Sequence, residues 1–381
     1  MIPNRTILPR TARLWVAFVT SAVTVVAWGC APVRSGPPSP TPARTAPVLT
    51  WLSEFTRPSG TAYPQLSGSG VFGSLSGLVK DARSDEYVAV VDDREGTRVA
   101  WLSITAPGGR LEVSPRRMQA LRAGAGVDSR LVTQADLEAI VALPDGTFLA
   151  AEEGHRTKAA LWPPALLKMT RDGTVTGMVG FPDEFQFTAD GRTGLRDNQG
   201  FESLTLTPAG RVIAGLEQPL AEHPATTPDR GGEGRLIEFE PRGDTWRPGR
   251  QWRYTIAPTP RVAGFPTACS DGENGLVDLL AITETELIAM ERACWLNAAG
   301  TEAANPIQLF AVTLSGDEAR KTLLLDLATV APKLSPALAH LDNFEGLAFG
   351  PLIEGRRSLL LMSDDNFRKN QKTSFLLFGM R

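Results

Sequence analysis

Apolar and polar positions alternate along this chain in paired runs. The clearest pair spans residues 201–217: Phe201-Glu202-Ser203-Leu204-Thr205-Leu206, a turn at Pro208-Ala209-Gly210, then Val212-Ile213-Ala214-Gly215-Leu216-Glu217. Period-two alternation on both sides of a Pro/Gly turn predicts a β-hairpin. Antiparallel pairing centred on Pro208-Ala209 brings Glu202 and Glu217 together at its open end. The pattern recurs four more times, at residues 136–153, 275–291, 343–365 and, more weakly, 75–93. With Ser76, Glu138, Glu202, Asp278 and Glu345 as markers, the steps are 62, 64, 76 and 67 residues. Near-constant spacing of β-rich units predicts an all-β propeller.

Each repeat also holds apolar runs for two further strands after its hairpin, which makes four strands per blade. Examples are residues 165–169 with 174–179, and 307–314 with 322–327. The last repeat is one strand short, because only Ser374-Phe375-Leu376-Leu377-Phe378 follows its hairpin. An unassigned run, Val48-Leu49-Thr50-Trp51-Leu52-Ser53-Glu54-Phe55, lies near the other end of the chain. If that run completes the last blade, the ring closes without an open sheet edge. Five blades are counted, and the long loops leave room for a divergent sixth.

Composition divides the chain in three. Residues 1–30 carry Arg5, Arg10 and Arg13 ahead of an apolar run at 14–27 and then Gly29-Cys30. A basic start, a short apolar stretch and a small residue before the cut describe a secretory signal. Cys30 directly after Gly29 is similar to a bacterial lipoprotein box, in which the cysteine is lipidated. Ordinary cleavage nearby and an uncut anchor are the alternatives; the apolar run is shorter than the roughly 20 residues of a spanning helix. Residues 31–47 form a Pro/Ser/Thr-rich tether with almost nothing to bury. Residues 48–381 have the composition of one globular body. Of the whole chain 42% is hydrophobic and 21% charged, and the net charge of −3 comes with no basic stripe, which argues against nucleic acid as a partner. The reading is thus an exported, lipid-anchored monomer of the cell envelope, touching membrane through its anchor alone. An exported protein lives where disulfides persist, so Cys269 and Cys294, at one end of the fourth hairpin, are expected to bridge. Two buried free thiols are the alternative.

In a propeller the first strand of each blade lines the central channel, and it starts at the rim where the second strand ends. Glu138, Glu202, Asp278 and Glu345 are therefore expected around one channel mouth, with Asp92, Asp93, Glu152, Glu153, Glu217, Glu291, Asp364 and Asp365 in a second circle beside them. So many confined carboxylates must raise their pKa values, pair with cations, or hold hard metal ions such as Ca²⁺. On the metal reading the ligands are Glu138, Glu202, Asp278, Glu345, Glu152, Glu291 and Asp92, with Glu202 and Glu345 leading. Glu217 or Asp364 would act as base, and Arg196 and Arg292 would bind substrate. On the competing reading each acid ties one blade to the next through backbone N–H groups. Other hydrolase signatures are missing. No Gly-x-Ser-x-Gly elbow occurs, and His155, His223 and His340 are too scattered for a zinc site.

Two segments, Asp197-Asn198-Gln199-Gly200-Phe201-Glu202-Ser203-Leu204 and Leu341-Asp342-Asn343-Phe344-Glu345-Gly346-Leu347-Ala348, resemble the phytase-like family of bacterial exported proteins, whose domain is described as having esterase-like activity of phytase. Residues 358–367 and the Ser76-Gly77-Leu78 and Asp92-Asp93 pair fit the same pattern, so the resemblance runs from about residue 49 to the end. It implies hydrolysis of a small-molecule phosphoester or ester, with Ca²⁺ held by carboxylates at the channel mouth. Ser203 stands where Gly is commoner after Phe-Glu, and Ser76 stands where an acid is expected. A non-catalytic binding propeller of the envelope is the alternative function.

Overall fold

In the computed structural model, residues 46–68, 70–157, 160–269 and 274–381 are described. The leader, Cys30 and most of the tether lie outside them. Among the described residues the regular structure is mostly strand, with one short α-helix at Ser129–Thr133 and five single-turn 3-10 segments.

The strands form five four-stranded antiparallel units in chain order. Blade 1 is Leu75–Lys80, Glu86–Val91, Arg98–Thr105 and Glu112–Ala120; blade 2 is Leu137–Ala142, Phe148–Glu152, Ala165–Met169 and Thr174–Gly180. Blade 3 is Phe201–Leu206, Val212–Leu216, Gly232–Arg242 and Thr245–Ile256; blade 4 is Gly275–Ala281, Glu286–Arg292, Ile307–Ser315 and Glu318–Asp326. Blade 5 takes Asn343–Phe349, Ser358–Asp364 and Lys372–Met380 from the end of the chain, and its fourth strand, Leu49–Pro58, from the beginning. Leu49 pairs with Met380 and Pro58 with Lys372. Several outer strands run longer than their apolar patterns, because an outermost strand is half solvated and its alternate positions accept residues such as Arg247 and Arg253.

Five apolar seams hold the blades together. One joins blades 1 and 2 around Trp101 and Phe148, and the next joins 2 and 3 around Phe201 and Phe239. Others join 3 and 4 around Trp252 and Phe310, 4 and 5 around Phe344 and Leu361, and 5 and 1 around Tyr87 and Phe375. The seams explain the alternation. In-facing residues of each sheet have no other sheet to meet than the neighbouring blade, so burying them requires the ring. The first strands of successive blades also touch in cyclic order, blade 5 against blade 1 included. The tether root at Val48 enters at the end of the ring where Met380 and Arg381 lie. The opposite end carries Asp364 and Lys372, and with them the starts of the first strands.

Every first strand has a β-bulge one or two residues after its start, and the bulges correct one marker. They fall at Ser76, Glu138, Glu202 and Glu345 in blades 1, 2, 3 and 5, but at Val277 in blade 4. Asp278 therefore occupies the position of Gly77, Ala139, Ser203 and Gly346. With Val277 as marker the steps become 62, 64, 75 and 68 residues. A bulge inserts one residue and exchanges the faces of the residues beyond it.

Candidate functional site

The bulges aim Ser76, Glu138, Glu202 and Glu345 at the channel. Opposite them, the residues at or just past the paired end of each second strand are Asp92, Glu153, Glu217, Arg292 and Asp364. A ring of carboxylates interrupted by Ser76, Val277 and Arg292 thus lines one mouth. Two groups in it are compact. In Asp92, Asp136 and Glu138, and again in Glu153, Glu202 and Glu217, one carboxylate oxygen from each residue lies within 4.8 Å of the others.

Neighbouring groups satisfy this ring only in part. Ser76 Oγ donates to Glu138 at 2.9 Å, and Gly200 N–H donates to Glu153 at 2.6 Å. Glu345 takes bonds from Arg292 at 3.0 Å and from Asn343 Nδ2 at 2.8 Å, while Arg292 also lies 3.9 Å from Glu217. Arg94, on the turn after Asp92, donates through Nε to Asp136 at 2.6 Å and through a terminal nitrogen to Asn198 at 2.8 Å, and so spans blades 1 to 3. Glu202 Oε2 and Asp136 Oδ1 are buried with no hydrogen-bond partner among the described residues.

Burial sets the electrostatics. Burial, reinforced by Asp136, pushes Asp92 up to about 8. Burial followed by like charges also raises Glu138 (Asp92, Glu202), Glu153 (Asp136), Glu202 (Glu217, Glu345) and Asp364 (Glu345, Asp92) well above the usual carboxylate range. Glu345 is raised by burial too, against the pull of Arg292. Burial works against the Arg292 charge, but Glu345, Glu217 and Glu202 outweigh it and keep the guanidinium protonated. Carboxyl groups forced to hold protons by their own crowding are groups that a divalent cation can discharge.

Several residues expected at the mouth are placed elsewhere. Glu152 and Glu291 lie one residue before the channel-facing position of their strands, and alternation turns them to the other face. Glu291 sits in the seam between blades 3 and 4, ion-paired with Lys321 and bonded by Tyr254 Oη at 2.6 Å, Asn274 Nδ2 at 2.6 Å and Ala257 N–H at 3.0 Å. Glu152 accepts from Gly154 N–H at 3.2 Å, and burial raises it well above its ordinary value. Asp278 accepts from Leu279 and Leu347 N–H at 2.8 and 2.6 Å and stitches blade 4 to blade 5. Asp93 pairs with Arg98 at 2.5 Å, and Asp365 takes Ser74 N–H at 2.8 Å across the 5–1 seam. Arg196 donates to the carbonyls of Pro219 and His223 at 2.9 and 2.7 Å, so its guanidinium secures a loop. Of the expected ligands and catalytic groups, Asp92, Glu138, Glu202, Glu217, Glu345 and Asp364 gather at the mouth with Arg292. Asp136 and Glu153 join them. Glu153 is the chain neighbour of the expected ligand Glu152, and Asp136 is visible in the sequence only as the acid two before Glu138. Cys269 and Cys294 are joined as a disulfide, with Cα atoms 5.4 Å apart.

A ring of four-stranded blades around an acid-lined channel is a β-propeller. The sequence profile of the phytase-like family, described as esterase-like activity of phytase, matches residues 71–367. The chain belongs to that family. A search of curated proteins found no match. Among solved structures, the chain is similar to an endo-arabinase from Bacteroides thetaiotaomicron (10% identity, 85% of this chain and 96% of that one, TM-score 0.43). It is also similar to a glycosyl hydrolase from Bacteroides ovatus (9% identity, 86% and 85%, TM-score 0.42). A third is the PQQ-bound aldose sugar dehydrogenase from Streptomyces coelicolor (15% identity, 84% and 83%, TM-score 0.35).

The donor set fits a hard divalent cation. It is all oxygen, it is buried, and two of its oxygens, Glu202 Oε2 and Asp136 Oδ1, lack a partner among the described residues.

Proposed function

We propose that this phytase-like propeller binds Ca²⁺ at its acidic mouth and hydrolyses a small phosphoester or ester there. The observation that carries the reading is the pair of buried carboxylate triads, Asp92/Asp136/Glu138 and Glu153/Glu202/Glu217, which hold more negative charge than Arg94 and Arg292 neutralise. Asp92, Asp136, Glu138, Glu153 and Glu202 would hold the metal. Bound there, calcium would neutralise the triads and polarise the ester oxygen. Arg292, whose Nε has no partner among the described residues, would orient an anionic or carbonyl oxygen of the substrate. Glu217, beside Arg292, or Asp364 would take a proton from the attacking water. The carboxyl that takes that proton would pass it to the departing alcohol.

The leader and Cys30 extend the proposal to a lipid-anchored protein of the cell envelope, and the Cys269–Cys294 disulfide supports an oxidising compartment. The test is thermal unfolding in chelator and then in added Ca²⁺, followed by turnover of p-nitrophenyl phosphate and p-nitrophenyl acetate. A ligand that binds only the folded chain must raise the midpoint. A rise with calcium-dependent turnover is expected. A midpoint indifferent to calcium would make the ring a scaffold.

A further inference from the structure

The floor of the mouth is acidic, but its rim is partly apolar. Six large apolar side chains stand exposed among the described residues, and three of them, Val71, Leu161 and Phe367, lie on segments at the mouth end. Val71 precedes the first strand of blade 1, Phe367 follows Asp364 by three residues, and Leu161 belongs to the small hairpin of His155–Arg156 with Leu161–Trp162 that follows Glu153. Val71 and Phe367 meet at one guanidinium, that of Arg98, which makes them a pair rather than ordinary scatter.

Val71 and Phe367 share one support. Arg98 donates to the Val71 carbonyl at 3.3 Å, its guanidinium carbon lies 5.6 Å from the centre of the Phe367 ring, and Asp93 fixes its charge. Phe367 and its neighbour Asn366 both adopt left-handed backbone, with φ of 50° and 48°. For a phenylalanine this conformation is strained and persists only when its surroundings impose it. Here they do. The carboxylate of Asp364 accepts from Asn366 N–H at 2.7 Å, and that of Asp365 accepts from Phe367 N–H at 3.1 Å and Ser74 N–H at 2.8 Å. A mouth acid and its neighbour therefore hold an aromatic ring out at the rim, next to Val71.

Four guanidinium groups near the mouth are engaged internally. Arg98 serves Asp93 and Val71, Arg196 serves the 219–223 loop, Arg292 serves Glu345, and Arg94 serves Asp136 and Asn198, while Nε of Arg98 and of Arg292 has no partner among the described residues. A polyanion needs an array of free cationic donors, and these four offer few. We propose that the mouth takes an amphiphilic monoester, its single head group at the carboxylates and its alkyl or aryl part across Val71 and Phe367, in preference to a polyphosphorylated sugar or inositol. This ligand class rests on the reading of the mouth as a calcium site.

The experiment is calorimetric titration of residues 46–381, which close the ring by themselves, in Ca²⁺ with methyl-, butyl- and octylphosphonate, none of which can be hydrolysed at a P–O ester. Octylphosphonate is expected to bind at least about tenfold more tightly than methylphosphonate, since each buried methylene adds affinity. In Phe367→Ser with Val71→Ser the difference should shrink to about twofold or less while methylphosphonate affinity and the unfolding midpoint stay unchanged. Phe367→Leu should keep most of the gradient. Equal affinity across the series overturns the ligand class, as does tighter binding of inositol hexakisphosphate than of octylphosphonate. Turnover of p-nitrophenyl esters judges hydrolysis separately. A chain-length gradient without turnover leaves the ligand class standing and removes the hydrolase. Turnover without a gradient does the reverse, and no binding of any phosphonate removes both.

Discussion

Blades 2 and 4 look alike in sequence and differ in what they present to the channel. Both carry an acid near the start of the first strand and a charged pair at the end of the second, Glu138 with Glu152-Glu153 and Asp278 with Glu291-Arg292. In blade 2 the bulged residue is Glu138 and the channel-facing end residue is Glu153, so the blade brings an acid from each strand to the mouth. In blade 4 those positions hold Val277 and Arg292, and both of its acids are turned into seams. One group of carboxylates is crowded and under-satisfied. The other is buried and bonded by named donors, Tyr254, Asn274, Ala257 and Lys321 around Glu291 and the N–H groups of Leu279 and Leu347 around Asp278. Residue type and burial do not separate a ligand from a strut. Whether its lone pairs already have partners does.

Removing an acid from each group should break the comparison most sharply. Glu202→Gln should lower calcium-dependent turnover on the order of a hundredfold or more and erase the calcium-induced rise in midpoint, with the chelated fold intact. Enzyme assay and melting of the same preparation check both arms. If this variant unfolds in chelator, Glu202 is a strut. Glu291→Ala should do the opposite. Its loss strands Lys321 and costs about 3–5 kcal/mol of stability by denaturant titration, while calcium affinity of the folded fraction stays the same.

Acidity sharpens the contrast. Asp92, Glu138 and Glu202 have folded pKa values raised above their unfolded ones, so the folded state binds more protons than the unfolded state between the two. Their contribution is fully present below the unfolded value near 4 and is lost as pH rises through the folded value, about 8 for Asp92. In chelator the midpoint should therefore fall from pH 5 to pH 8, and calcium should restore more at pH 8 than at pH 5, because it must displace protons at the lower pH. A calcium effect larger at pH 5 would contradict this. The smallest effect belongs to Arg196→Ala, which frees two carbonyl acceptors on a partly exposed loop. It should cost about 1–2 kcal/mol and leave KM unchanged.

The repeat was legible in the chain alone. Strands bury one face, so alternation with period two and turn residues between runs located the inner hairpin of every blade. The spacing of those hairpins gave the propeller, and the stray run at residues 48–55 pointed to the strand that pairs with Lys372–Met380. Glu138, Glu202, Glu217, Glu345 and Asp364 could be picked out because they stand at the open ends of their hairpins. What stayed hidden was register. A single bulge per first strand decides whether Val277 or Asp278 meets the channel, and one step along the second strand separates Glu153 from Glu152 and Arg292 from Glu291. Alternating patterns fix which residues can share a face. Only the packed ring decides which face meets the channel and which meets a neighbouring blade, because the donors that claim Glu291 and Asp278 come from strands far away in the sequence.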